Sequence, residues 1–136
     1  MAKFLNLFGT SGIRGKVNGE LSTESCLKIG KAIGSAMPHA SKVCLSTDTR
    51  ISRDAIKSAL ISGLLSVGIN VTDLGILPTP ALALLTQEFG FDAGIMITAS
   101  HNPPPYNGIK LFNRDSLGFN PEQEEEIESR YRTKQF

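Results

Sequence analysis

Cysteine is scarce in this sequence: Cys26 and Cys44 are the only two. They share no C-x-x-C spacing and have no histidine beside them. A zinc site and a redox pair are therefore excluded, and each reads as a small buried residue. Charge of one sign is missing too, since 14 basic residues against 13 acidic ones leave a formal net charge of +1. That balance provides no electrostatic footprint for nucleic acid, which is not expected as a partner. No apolar run approaches the length of about 18 residues that would suggest a membrane span. The opening Met1-Ala2-Lys3-Phe4-Leu5-Asn6 also lacks the apolar segment of a signal peptide. No membrane association is expected, and a cytoplasmic protein follows. Internal repeats, low-complexity tracts and Pro/Gly/Ser linkers are absent, while 40% hydrophobic residues argue against disorder.

What is present suits one domain over residues 1–136, a size at which folding buries roughly 70% of the unfolded chain's surface. Val43-Cys44-Leu45, within Lys42 to Thr47, reads as a strand buried on both faces. Ser52 then offers an N-cap to a helix carrying Ile56, Leu60, Gly63, Leu64 and Val67, which Gly68 stops. A second strand follows from Ile69 to Leu74. Pro78-Thr79-Pro80 opens a helix running to about Phe89, with Gly90 as its stop, and Ala93 to Ile97 forms a third strand. Upstream, Ser22 caps a helix whose stripe is Cys26, Ile29, Ile33 and Met37, and Gly30 and Gly34 let a neighbour come close.

Downstream, Ile109 to Phe112 reads as a fourth strand, and Pro121 opens a Glu-rich helix toward Tyr131. The glutamates favour a helix N-terminus and read as a solvated face without chemistry. The alternation predicts an α/β fold: a three-layer α/β/α domain around a four-stranded mixed sheet. Three strands would be parallel, with right-handed crossovers, and Ile109 to Phe112 would be an antiparallel edge strand. The charged ending Arg130-Tyr131-Arg132-Thr133-Lys134, with no strand or cap beyond it, is what a domain cut from something longer would show.

The most unusual stretch is Thr98-Ala99-Ser100-His101-Asn102-Pro103-Pro104-Pro105-Tyr106-Asn107-Gly108-Ile109-Lys110. It follows directly on a buried strand, and ligands in open α/β sheets gather beyond the carboxyl ends of strands. Consecutive prolines after Asn102 forbid a helix and stiffen the loop. Lys110, past an expected Asn107-Gly108 turn, is a point charge suited to a phosphate oxygen. A lone Ser in such a loop would read as a turn former. The company of His101, Lys110 and a second segment favours chemistry instead. A serine hydrolase fits badly, because no G-x-S-x-G elbow surrounds Ser100 and His39 is the one other histidine.

The second segment is Phe8-Gly9-Thr10-Ser11-Gly12-Ile13-Arg14-Gly15. Its glycines and hydroxyls leave backbone N–H groups free to approach an anion, and Arg14 can bind phosphate bidentately. It matches neither the P-loop nor the dinucleotide fingerprint, and a flexible turn fits it equally well.

Thr98-Ala99-Ser100-His101-Asn102-Pro103 followed by Asn107-Gly108-Ile109-Lys110 resembles the phosphoserine loop of the α-D-phosphohexomutases, a family of isomerases. Phe8 to Gly15 resembles their N-terminal signature. Asp48-Thr49-Arg50-Ile51-Ser52, and Asp73-Leu74-Gly75 running on to Pro78-Thr79-Pro80, agree in order along nearly the whole chain. The Phe-Gly-Thr opening is nearer to the phosphoglucosamine mutase branch and its archaeal phosphomannomutase-like relatives. Ser11 stands where the bacterial branch usually has Asp, and Ser46-Thr47 where the family often has Gly-Arg. Glucosamine, mannose and glucose phosphates therefore all stay open as substrates.

The resemblance implies that Ser100 carries a phosphoryl group, gives it to a hexose monophosphate and takes the other phosphate back from the bisphosphate. A 6-phosphate and a 1-phosphate are thereby interconverted, with hexose 1,6-bisphosphate as activator. His101 and Lys110 would line the site and neutralise charge, and Arg14 would steady the phosphoserine or a substrate phosphate. Thr10, Ser11, Arg14, Asn102 and Lys110 form the implied phosphate-binding set. The family uses Mg²⁺, held largely by an Asp-rich loop of a second domain. Here Asp48, Asp54, Asp73, Asp92 and Asp115 are scattered singly, so from this chain Ser100 alone would ligate the metal, through its phosphate oxygen. The chain corresponds to domain I only, the remaining domains of the parent enzyme would be its partners, and alone it is expected to be inactive. A stand-alone sugar-phosphate-binding or regulatory module, or an interaction protein with a vestigial site, are the other readings.

Overall fold

The computed structural model describes residues 6–136. Along the chain run β1 (Ile13–Lys16), α1 (Thr23–Ser35), β2 (Lys42–Thr47), α2 (Arg53–Ser66), β3 (Asn70–Ile76), α3 (Thr79–Glu88), β4 (Ala93–Ile97), β5 (Tyr106–Asn113) and α4 (Pro121–Thr133). The sheet has five strands in the order β1-β5-β4-β2-β3. Strands β3, β2 and β4 are mutually parallel, whereas β5 is antiparallel to both β4 and β1.

The two faces of the sheet separate by residue parity, as a pleated strand requires. Val43, Leu45, Ile95, Ile97, Ile109 and Leu111 face one core together with residues of α1, α2 and α4. Cys44, Met96 and Phe112 face the other, under Leu82 of α3. Three layers result, with α3 alone on its side. The continuous apolar run in β2 is thereby explained, since both of its faces are covered.

Helix α1 starts where Ser22 Oγ accepts the Ser25 amide at 3.1 Å. It meets α2 at Gly30 and Gly63: a Cβ on Gly30 would strike the Leu60 carbonyl, and one on Gly63 the Leu27 carbonyl. Bare Cα atoms let the two backbones touch. Helix α4 carries a capping box between Asn120 and Gln123; Glu122, Glu125 and Glu126 are exposed, Glu124 is half-buried, and half-buried Glu128 accepts the Phe8 amide at 2.8 Å. Both cysteines are buried, and burial pushes the Cys26 thiol up to about 12 and raises Cys44 as well.

Four expectations are corrected. The sheet has five strands rather than four, because Ile13–Lys16, within the glycine-rich segment, pairs antiparallel with β5. In consequence Ile109 to Phe112 belongs to a longer inner strand, and the edges are β1 and β3. Asn107-Gly108 is no turn but the start of β5. Ser52 stands at the N-cap of α2 without capping it, because its backbone is already helical and its Oγ accepts the Asn107 side-chain amide at 2.9 Å.

Candidate active site

Strands β2 and β4 lie side by side and end at the same edge of the sheet. Asp48 leaves β2 there, and Thr98 leaves β4. The Thr98 hydroxyl donates to Asp48 Oδ2 at 2.6 Å and accepts the Ser100 amide at 3.0 Å. Ser100 is exposed, with φ of +56° in the left-handed region. That conformation is uncommon outside glycine, and at a site it marks a residue held by its surroundings. Ser100 Oγ lies 3.2 Å from His101 Nδ1.

What holds the loop is Arg50. Its Nη2 donates to the carbonyls of Ser100 and Asn102, each at 2.8 Å, and its Nη1 to those of Pro103 at 3.0 Å and Tyr106 at 3.1 Å. Arg50 is aimed in turn by Asp48, whose Oδ1 accepts the Arg50 amide at 3.0 Å and whose Oδ2 lies 3.3 Å from Nε. Neither Asp48, Thr98 nor Arg50 was singled out for a role from the sequence. The Asp-x-Arg spacing is the signal that could have shown the Asp48 turn, but the reach of Arg50 to residues 100–106 is tertiary.

Arg14 enters from β1. In register it faces Gly108 of β5, where a Cβ would collide with the Arg14 side chain and with the carbonyls of Ile13 and Thr98. Lying across that glycine, Arg14 Nη1 reaches Asn102 Oδ1 at 3.3 Å, while its buried Nε has no hydrogen-bond partner among the described residues. Lys110 is two residues along β5 from Gly108 and hence on the same face of the sheet. Its ammonium sits 5.3 Å from the Phe112 ring, and it lines a cleft of about 110 Å³ with Phe8, Thr10 and Gly12. Thr10 and Ser11 are exposed on a turn closed by the Gly9 amide and the Gly12 carbonyl at 2.9 Å.

The structure thus pairs Ser100 with His101 and Arg14 with Asn102 on one loop, and puts Lys110 with Thr10 around a separate cleft. Ser11 makes the weakest case, exposed on the turn. Among the described residues no three His, Cys, Asp or Glu side chains converge as metal ligands. The carboxylate in the loop network, Asp48, is engaged by Arg50 and Thr98. Among the described residues no helix is long and apolar enough to cross a membrane.

Residues 5–136 match the family described as phosphoglucomutase/phosphomannomutase, alpha/beta/alpha domain I. A probable phosphoglucosamine mutase of Thermococcus kodakarensis is 51% identical over 122 residues, covering 90% of this chain and 27% of that protein. A phosphoglucosamine/phosphogalactosamine mutase of Sulfurisphaera tokodaii is 47% identical, over 96% of this chain and 29% of that protein. Among solved structures, a Thermus thermophilus protein assigned as a phosphomannomutase superimposes with a TM-score of 0.83 at 32% identity, covering 90% of this chain and 29% of that one. The chain therefore spans less than a third of the length of these relatives. On the match over residues 5–136, the chain belongs to the phosphoglucomutase/phosphomannomutase family as its α/β/α domain I.

Proposed function

We propose that this chain is the phosphoryl-carrying domain of a phosphohexomutase, with Ser100 as the carrier. The observation that supports the reading most is the pairing of an exposed Ser100 Oγ with His101 Nδ1 at 3.2 Å, on a loop whose Asn102 is held by Arg14. In the transfer, a sugar hydroxyl attacks the phosphorus of phosphoserine. The bond from Ser100 Oγ to phosphorus breaks as the sugar O–P bond forms, and the sugar proton passes to solvent or to a base beyond this chain. Ser100 Oγ departs as an alkoxide and is protonated, and His101 is placed to supply that proton. Arg14 and Lys110 offset the charge on the equatorial oxygens, since phosphoryl transfer depends on positioning and electrostatics more than on covalent chemistry. Thr10, Ser11 and Asn102 complete the phosphate-binding set. A Mg²⁺ ion bound by the Ser100 phosphate would supply further charge neutralisation.

The names of the relatives point to an amino-hexose phosphate as the first substrate to test. Mass spectrometry of Ser100 before and after incubation with glucosamine 1,6-bisphosphate or glucose 1,6-bisphosphate checks the reading, in the protein at the full length its gene encodes. Gain of one phosphoryl group on Ser100, absent in Ser100→Ala, is the expected result. Binding of a hexose phosphate with no transfer would favour a stand-alone sugar-phosphate module instead. The 136-residue chain by itself is expected to show negligible turnover, and measurable turnover would overturn that part.

A further inference from the structure

An arginine beside a phosphate-carrying serine invites assignment as a phosphate ligand. Arg50 does not have the donors for it. A guanidinium carries five N–H groups. One at Nε faces Asp48 Oδ2, two at Nη1 serve Pro103 and Tyr106, and two at Nη2 serve Ser100 and Asn102. Every N–H is spent on the protein. Arg14 is the opposite case: among the described residues it has one bond from Nη1 and a buried Nε without a partner. The side chain of Arg50 is also only 13% exposed, too enclosed for an anion to displace its partners at little cost.

We infer that Arg50 is a positioning residue for Ser100 and no phosphate ligand, an inference that rests on the phosphoryl-carrier reading for its kinetic part. Ser100 sits in a left-handed conformation with both backbone polar groups held, its amide by Thr98 and its carbonyl by Arg50. Both holders bond the same carboxylate, Asp48. Asp48 and Arg50 thereby tie the end of β2 to the loop after β4. Arg50 also sets a positive charge against carbonyl oxygens of the loop, offsetting partial negative charge that would otherwise repel a phosphate dianion. A lysine keeps the charge but has three donors on a single nitrogen and cannot span these carbonyls.

The test uses the protein at its full encoded length, with Arg50→Lys, Arg50→Ala and, as a neighbouring control, Arg53→Ala. Amide exchange is followed in residues 99–106 and in β4, and Ser100 phosphorylation by glucose 1,6-bisphosphate is timed. In Arg50→Lys, residues 99–106 should exchange faster while β4 stays protected, and phosphorylation should slow about 100-fold with KM little changed, as a displaced nucleophile predicts. Free guanidinium ion at millimolar concentration should restore part of the rate to Arg50→Ala, and Arg53→Ala should behave as wild type. The inference is overturned by wild-type loop exchange and rate in Arg50→Lys, by a raised KM at unchanged rate, or by loss of protection in β4 together with the loop. A wild-type protein that takes up no phosphoryl group would sink the carrier reading instead, and the exchange data would still decide the clamp.

Discussion

Thr98 donates to Asp48 across 50 residues of sequence, at 2.6 Å, and the same hydroxyl oxygen accepts the amide of Ser100. One small side chain thus couples two strand ends to the displayed serine. Replacing it isosterically removes both bonds, leaving the Ser100 amide without its partner and Asp48 Oδ2 with Arg50 Nε alone. Thr98→Val should cost about 1–3 kcal/mol, the penalty of unpaired polar groups. Urea denaturation measures it, and unchanged stability would show that water replaces the hydroxyl freely.

Asn107 is fully buried inside β5, donating to Ser52 Oγ at 2.9 Å and accepting the Gly108 amide at 2.8 Å. Asn107→Ala should lower stability by about 2 kcal/mol, and Asn107→Leu by more, since bulk is added without a partner for the Gly108 amide. Thermal melts of the two variants, compared with Ser52→Ala, separate the amide's loss from the hydroxyl's.

Gly30→Ala and Gly63→Ala set two effects of opposite sign against each other. Alanine gains up to about 1 kcal/mol of helix propensity over glycine. Each new Cβ, however, would meet the backbone of the facing helix, and overpacking costs about 1–3 kcal/mol. Net destabilisation is expected from denaturant midpoints, and a stabilised variant would mean that α1 and α2 slide apart without strain.

Ser100 offers a separation of stability from function. At φ of +56° a glycine is unstrained, so Ser100→Gly should be more stable than Ser100→Ala by about 1 kcal/mol. Neither can carry a phosphoryl group. Equal stabilities by calorimetry would place the loop's strain elsewhere.

Alkaline pH should weaken the fold. Burial pushes the Cys26 thiol from 9.0 up to about 12, and Cys44 moves the same way. Because the folded value lies above the unfolded one, the contribution is complete below pH 9 and is lost progressively as pH climbs toward 12. Denaturation midpoints measured from about pH 8 to about pH 11 should fall, and Cys26→Ala should flatten that slope. Thiol reagents should label neither cysteine until the protein unfolds.

The regular part of the fold was open to sequence reasoning because periodicity and capping residues mark it. Ser22, the β2 run, Pro78-Thr79-Pro80 and Pro121 are local signals, and their elements sit where those signals put them. Strand β1 carries no such mark. Ile13-Arg14-Gly15-Lys16 is short and glycine-flanked, and only pairing with β5 makes it a strand. Asn107-Gly108 misled for a related reason: the pair usually signals a hairpin turn, yet here Gly108 is needed bare so that Arg14 can lie over it. Ser100, His101 and Arg14 could be picked out by residue type. The hold of Arg50 on the loop could not, because carbonyl oxygens leave no trace in a side-chain motif.

Among the described residues strand β1 pairs with β5 alone, which has a consequence for how the molecule comes into being. A chain made from its N-terminus produces Arg14 early and its partner strand, Tyr106–Asn113, only after β2, β3 and β4. While the ribosome is still making β2 to β4, that first strand is an orphan, and non-local pairings of this kind close slowly. Its shortness and its charges, Arg14 and Lys16, keep it from sticking to other chains meanwhile. The basic wall of the serine site thus waits on β5, and a nascent chain cannot bring Arg14 to Asn102 before that strand has emerged.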